Sequence, residues 1–167
     1  MNAQTKNPET NKAQTSKAHT KEPGNYQDTP VDVKLRISAL WIAMMFVFAY
    51  VDIFGLMQAD FLEGLLAGEI IDTPFKVTQG FLLFAVVYIL PASLMVPLSL
   101  FLRAKINRRV NLVMAPLYAL TIVAGCIGED AIFYLVGSAV EVVLLAIIAR
   151  LAYRWPTEGS APTTVLS

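Results

Sequence analysis

The run from Ser38 to Met57, SALWIAMMFVFAYVDIFGLM, interrupts its apolar residues with a single charge, Asp52. About twenty helical residues rising 1.5 Å each cross a hydrocarbon core of about 30 Å. The apolar residues cover every face of such a helix instead of one stripe, so the helix has no side to offer to water. Three more runs of this kind follow, and the last contains a second acid, Glu141. The expected fold is therefore all-α: a polytopic membrane protein built as a four-helix transmembrane bundle, with spans at about 35–57, 78–102, 110–128 and 131–153.

Both acids are affordable to insertion. The ten Leu, Ile, Phe and Val residues between Ile37 and Met57 favour insertion by about 3–6 kcal/mol together, against about 2.5–3.5 for an acid at the helix centre. Span four has twelve such residues to carry Glu141. Span two holds Pro91 and Pro97, and span three holds Pro116; membrane helices tolerate proline as kinks.

The segments outside the spans are polar. Residues 1–32 are rich in Asn, Gln, Thr, Lys and Pro and predict a disordered tail, with no apolar run that would make a cleavable signal peptide. Residues 33–155 form the predicted four-span domain, and 156–167 a short loose tail. Between spans one and two, Phe61, Leu62, Leu65 and Leu66 fall on one face of a short interfacial helix. Gly68 and Thr73-Pro74 are its expected breakers.

Charge sets the topology. Lys34 and Arg36 precede span one, Arg103, Lys105, Arg108 and Arg109 lie in the turn RAKINRRVN between spans two and three, and Arg150 and Arg154 close span four. The other two connections are acidic. Four spans satisfy the positive-inside rule with both termini in the cytoplasm. Trp41, Tyr153 and Trp155 then fit an aromatic belt at that interface. The four basic residues of the turn are candidates for contact with anionic lipid headgroups.

Composition excludes several functions. A formal net charge of zero gives no global attraction for nucleic acid, and none is expected as a partner. One cysteine, Cys126, and one histidine, His19, in 167 residues leave no internal disulfide, CxxC pair or metal-ligand set, so no metal or other cofactor is expected. Ser-His-Asp sets, P-loops and GxGxxG are missing too.

What remains is the pair of intramembrane acids, which are expensive and therefore functional candidates. The stripe of Asp52 holds Met45, Ala49 and Gly55; that of Glu141 holds Tyr134, Gly137, Ser138 and Leu145. Span three offers Ala115, Tyr118, Thr121, Gly125 and Gly128, and span two offers Tyr88, Ala92 and Ser99. Small and polar residues belong on helix-facing surfaces. Asp52, Glu141, Tyr50, Tyr88, Tyr118, Thr121, Tyr134 and Ser138 are thus the candidates for a proton or substrate site inside the bundle. Asp52 lies nearer the outer side than Glu141, by about 5–10 Å at 1.5 Å per residue. A shared cavity opening outward is expected, a direct carboxylate dyad is not.

These residues resemble a bacterial membrane family, the domain of unknown function 6326 family. The likeness spans about Val31 to Pro156 and rests on Tyr50 and Asp52 in span one, Asn107, Arg108 and Asn111 in the turn, and Glu141 in span four. It implies four spans in a bacterial inner membrane and no assigned activity. Three readings follow: a small transporter or proton-coupled permease, an accessory subunit whose acids fix helix packing, and a membrane-embedded enzyme or redox component. The bilayer is the expected partner. A homo-oligomer is also expected, since four short helices enclose little space.

Overall fold

The computed structural model describes residues 30–70 and 76–156. The expectations for the N-terminal tail with His19, for Thr73-Pro74 and for the C-terminal tail after Pro156 lie outside the described residues. Five helices follow one another: α1 (Val33–Gly55), α2 (Ala59–Leu66), α3 (Gln79–Phe101), α4 (Ala104–Gly125) and α5 (Ile132–Tyr153). The described residues hold no strand, only an isolated antiparallel bridge between Glu69 and Lys76.

Local chemistry fixes the helix ends. The Asp32 carboxylate accepts the Lys34 backbone N–H at 2.8 Å, and the Thr78 hydroxyl accepts that of Phe81 at 3.2 Å, each satisfying a donor that the first turn leaves free. Gly68 and Gly128, with φ of +78° and +84°, turn the chain just after α2 and α4, a backbone region where a side chain is strained.

α1, α3 and α5 are long and apolar enough to cross a membrane. Their outward faces stay apolar, with Phe46, Phe84 and Ile132 all more than half exposed, a surface suited to hydrocarbon and not to water. α4 has 22 residues as well but carries Lys105, Arg108 and Arg109 in its first two turns. Here the sequence expectation is corrected. RAKINRRVN is not a turn; the link is only Leu102 and Arg103, and α4 is helical from Ala104. Arginine and lysine are good helix formers, and the charges sit on the exposed face while Asn107 and Asn111 are fully buried.

The long helices pack α3 on α1, α1 on α5 and α5 on α4, whereas the backbones of α3 and α4 come close at few points despite their short link. Their directions alternate. Lys34 at the start of α1 donates to Leu102 O at the end of α3 at 2.8 Å, and Val51 near the end of α1 meets Gly137 near the start of α5. One end of the body therefore carries Lys34, Arg36, Arg103, Lys105, Arg150 and Arg154, and the other carries Asp60, Glu63, Glu69, Glu129 and Asp130.

The basic half is solid. Ile37, Trp41, Met44, Met95, Leu145 and Ile148 are essentially inaccessible there. Trp41 is not part of an interfacial belt, as the sequence led us to expect: its indole N–H donates to Asn111 Oδ1 at 2.8 Å in the interior. Asn111 Nδ2 in turn donates to the carbonyl and side-chain oxygens of Asn107 at 3.0 and 2.7 Å, and Asn107 Nδ2 donates to Ser99 O. Ser38 Oγ donates to Val96 O at 3.0 Å. This chain ties α1, α3 and α4 together and satisfies carbonyls at the C-terminal end of α3. Where no water reaches, a polar group needs such a partner; the buried Ser99 hydroxyl is without one.

Candidate functional site

The acidic half is hollow where the basic half is packed. A chamber of about 180 Å³ lies among α1, α3, α4 and α5, with Asp52, Tyr88, Thr121, Tyr134, Ser138 and Glu141 in its wall. Phe48 closes one side, a residue that the helical stripes did not single out. Val51, Asp52 and Tyr134 also line a wider mouth of about 480 Å³, which runs out past Gln58, Phe61 and Leu65 to Glu129. The two spaces thus share one wall and lead from the acidic end toward Glu141. α2 forms part of the mouth, with Phe61 and Leu65 turned in and Leu62 and Leu66 turned out.

Glu141 sits at the deep end on the buried face of α5, in register with Gly137, Ser138 and Leu145, and is 2% exposed. Its carboxylate receives no hydrogen bond from any described side chain and faces the chamber. Gly137 makes this placement possible: a Cβ there would collide with Val51 of α1. Gly125 does the same for Tyr134, whose hydroxyl lies 2.8 Å from where a Cβ would stand. Close approach through small residues is how helices meet in a membrane.

Asp52 lines both the chamber and the mouth and is largely exposed toward them. The Asp52 stripe is corrected in part. α1 buries Trp41, Met44 and Val51, Gly55 lines the mouth, and Ala49 faces outward. Tyr50 leaves the site too: it is 54% exposed and stacks loosely on Phe54, ring centroids 6.1 Å apart. On α4 the buried line is Asn111, Ala115, Tyr118 and Ile122, so Gly125 and Gly128 lie exposed beside it.

Tyr88, Thr121 and Tyr118 join α3 to α4, whereas Tyr134 and Ser138 only line the chamber. Thr121 Oγ1 donates to Tyr118 O at 2.8 Å, so the 2.7 Å bond to the Tyr88 hydroxyl is one that Thr121 accepts. Tyr118, buried, donates to Tyr88 O and accepts the Ala92 N–H at 3.2 Å. Those two backbone groups are four residues apart in α3, the pair that an α-helix joins directly. Beside Pro91, which has no N–H to give, a hydroxyl from α4 stands in the ladder of α3.

The wall of the chamber thus presents two carboxylates, phenol and alcohol oxygens and aromatic faces, and neither the chamber nor the mouth has a lysine or arginine among its described lining residues. Its chemistry suits a cation or an exchangeable proton.

A model for a family of unknown function, DUF6326, matches residues 30–161. The chain belongs to that family. The matched range takes in all five helices, and with them both acids, the Tyr88–Thr121–Tyr118 hydrogen bonds and the Asn107–Asn111 network, so the whole described body is DUF6326. No curated protein and no solved structure matches the chain.

Proposed function

We propose that this chain is a four-span permease of the bacterial inner membrane that accepts a proton or a small cation at Glu141 from its acidic end. The observation that carries the reading is the Glu141 carboxylate, buried, without a donor among the described residues, and facing a chamber that leads to an open mouth. A charge placed so deep is costly unless a mobile positive charge comes to it. The titratable groups sharing its chamber are Asp52 from α1, Tyr88 from α3 and Tyr134 from α5; α4 contributes Thr121 and Ile122.

The fourth crossing is α4. It runs from the basic end, where Asn107 meets Ser99, to the acidic end, where Gly125 meets Tyr134, the same distance that α5 covers. With every basic cluster at one end, the positive-inside rule puts that end and both termini in the cytoplasm. Exposed Arg103, Lys105, Arg108 and Arg109 then face the anionic headgroup layer. One copy builds the chamber, so the site does not depend on a homo-oligomer. The accessory-subunit reading asks the acids to hold the helices together, a task that the asparagine network and Tyr118 already perform.

Two experiments test this. In proteoliposomes loaded with a pH-sensitive dye, an inward gradient of tetramethylammonium is expected to drive proton release with the wild type and not with Glu141→Gln. Wild-type flux no greater than that of empty vesicles, or equal flux in both proteins, sinks the permease. For topology, Cys126, half-buried at the acidic end, is expected to react with a membrane-impermeant maleimide added outside intact cells; labelling only after the membrane is opened reverses the orientation.

A further inference from the structure

A second space adjoins the chamber across the Tyr88–Thr121 hydrogen bond. Where the backbones of α3 and α4 stand apart, an apolar cleft of about 210 Å³ runs along Val87, Pro91, Met114 and Leu117 to the surface that faces hydrocarbon. Tyr88 and Thr121 line both this cleft and the chamber, and the hydrogen bond between their hydroxyls bridges the two helices at the boundary. The site thus has an anionic, aromatic inner part and an apolar arm reaching sideways into the membrane.

We infer that the ligand of this site is a single-chain amphiphilic ammonium ion, its head in the chamber against Glu141 and its alkyl chain in the cleft between α3 and α4, passing between Tyr88 and Thr121 as their hydrogen bond parts. This rests on the reading of Glu141 as the group that accepts a cation. Each part of the site selects one part of the ligand. At about 30 Å³ per water-sized group, the chamber has room for about six heavy atoms, enough for a trimethylammonium head with the first carbon of its chain. Phe48, Tyr88 and Tyr134 line the chamber around such a head, and aromatic surroundings are what a quaternary ammonium prefers over anions alone. A metal cation would want several carboxylate and carbonyl oxygens converging on one point, and the described residues hold no group of three or more Asp, Glu, His or Cys that could do so. The cleft has room for about seven methylenes by the same measure, and its four apolar residues have nothing to offer a polar group. A neutral lipid fits the cleft and leaves Glu141 unmatched; a small hydrophilic cation fits the chamber and leaves the cleft unused.

The test is binding of octyltrimethylammonium and of tetramethylammonium to the full chain in lipid nanodiscs, with counts on empty nanodiscs subtracted. The octyl probe is expected to bind about a hundredfold more tightly, what three or four methylenes leaving water give, and Glu141→Gln to abolish binding of both. Leu117→Trp, on a half-exposed position that fills the cleft, is expected to weaken the octyl probe tenfold or more. Leu83→Trp, on a more exposed position that lines neither the chamber nor the cleft, is expected to leave it unchanged. Equal affinity for the two probes, or no effect of Leu117→Trp, overturns the amphiphile while leaving the cation site standing. Binding that survives Glu141→Gln, or no binding of either probe, overturns the cation site itself.

Discussion

The two halves of this small body are built on opposite terms. At the basic end, Trp41, Asn107, Asn111, Ser38 and Lys34 spend their polar groups on one another and on the carbonyls of α3. At the acidic end, Asp52, Ser138 and Glu141 keep theirs turned to open space. A polar residue in a membrane helix therefore has two uses, and burial does not tell them apart: Asn111 and Glu141 are both almost inaccessible. The difference lies in whether a protein partner completes the group. Completed groups hold helices; uncompleted groups wait for something that comes and goes.

The comparison breaks most readily at Asn111. Replacing it by leucine strands the Trp41 N–H and the Asn107 side-chain oxygen, and the expected loss of stability is about 2–3 kcal/mol, between the cost of orphaned buried groups and the smaller values typical of membrane helices. A reversible unfolding titration in mixed micelles measures it, and a loss below about 0.5 kcal/mol would mean that the network does not hold the basic end. Next is Gly137→Ala. The added methyl must push α5 away from Val51, and overpacking of this kind costs about 1–3 kcal/mol; the same titration is expected to place it below Asn111→Leu, with the chamber widened or closed as α5 shifts. The smallest effect on stability is expected for Glu141→Gln, under about 0.5 kcal/mol, because no described side chain loses a hydrogen bond. Infrared spectroscopy sharpens that last point. A carboxylic-acid carbonyl band that responds to pH in the wild type and is missing from the variant assigns a titrating group to position 141; a loss of several kcal/mol would make Glu141 a packing residue after all.

How much of this was legible in the sequence depended on whether a helix carried an internal polar marker. The buried face of α5 is legible because Gly137, Ser138 and Glu141 share one face and point the helix. α1 was read less well: its apolar residues cover all sides, and the one acid misled, since Asp52 lies beside the buried line of Trp41, Met44 and Val51 and not on it. Tyr50, two residues away, was carried inward by the same error. The position of Trp41 near the basic end of its span suggests the membrane interface, where aromatic residues do gather, and its partner Asn111 is hidden in a stretch whose charges suggest a turn. The spacing of Asn107 and Asn111, four residues apart and in line with Ala115, Tyr118 and Ile122, was the available signal for a buried helical face. The gap between α3 and α4 had no such signal, because packing distances between helices are not written in either one.

The hydroxyl that Tyr118 places between Tyr88 O and Ala92 N–H gives α3 a property that the other long helices lack. Its backbone is a jointed rod, and the pin of the joint belongs to a neighbour. Sliding α4 by a fraction of a turn withdraws that pin, whereas Pro91 ensures that the rod cannot knit itself fully closed at the same level. Any force that parts α3 from α4 is therefore converted at this one point from a change in spacing into a change in bend.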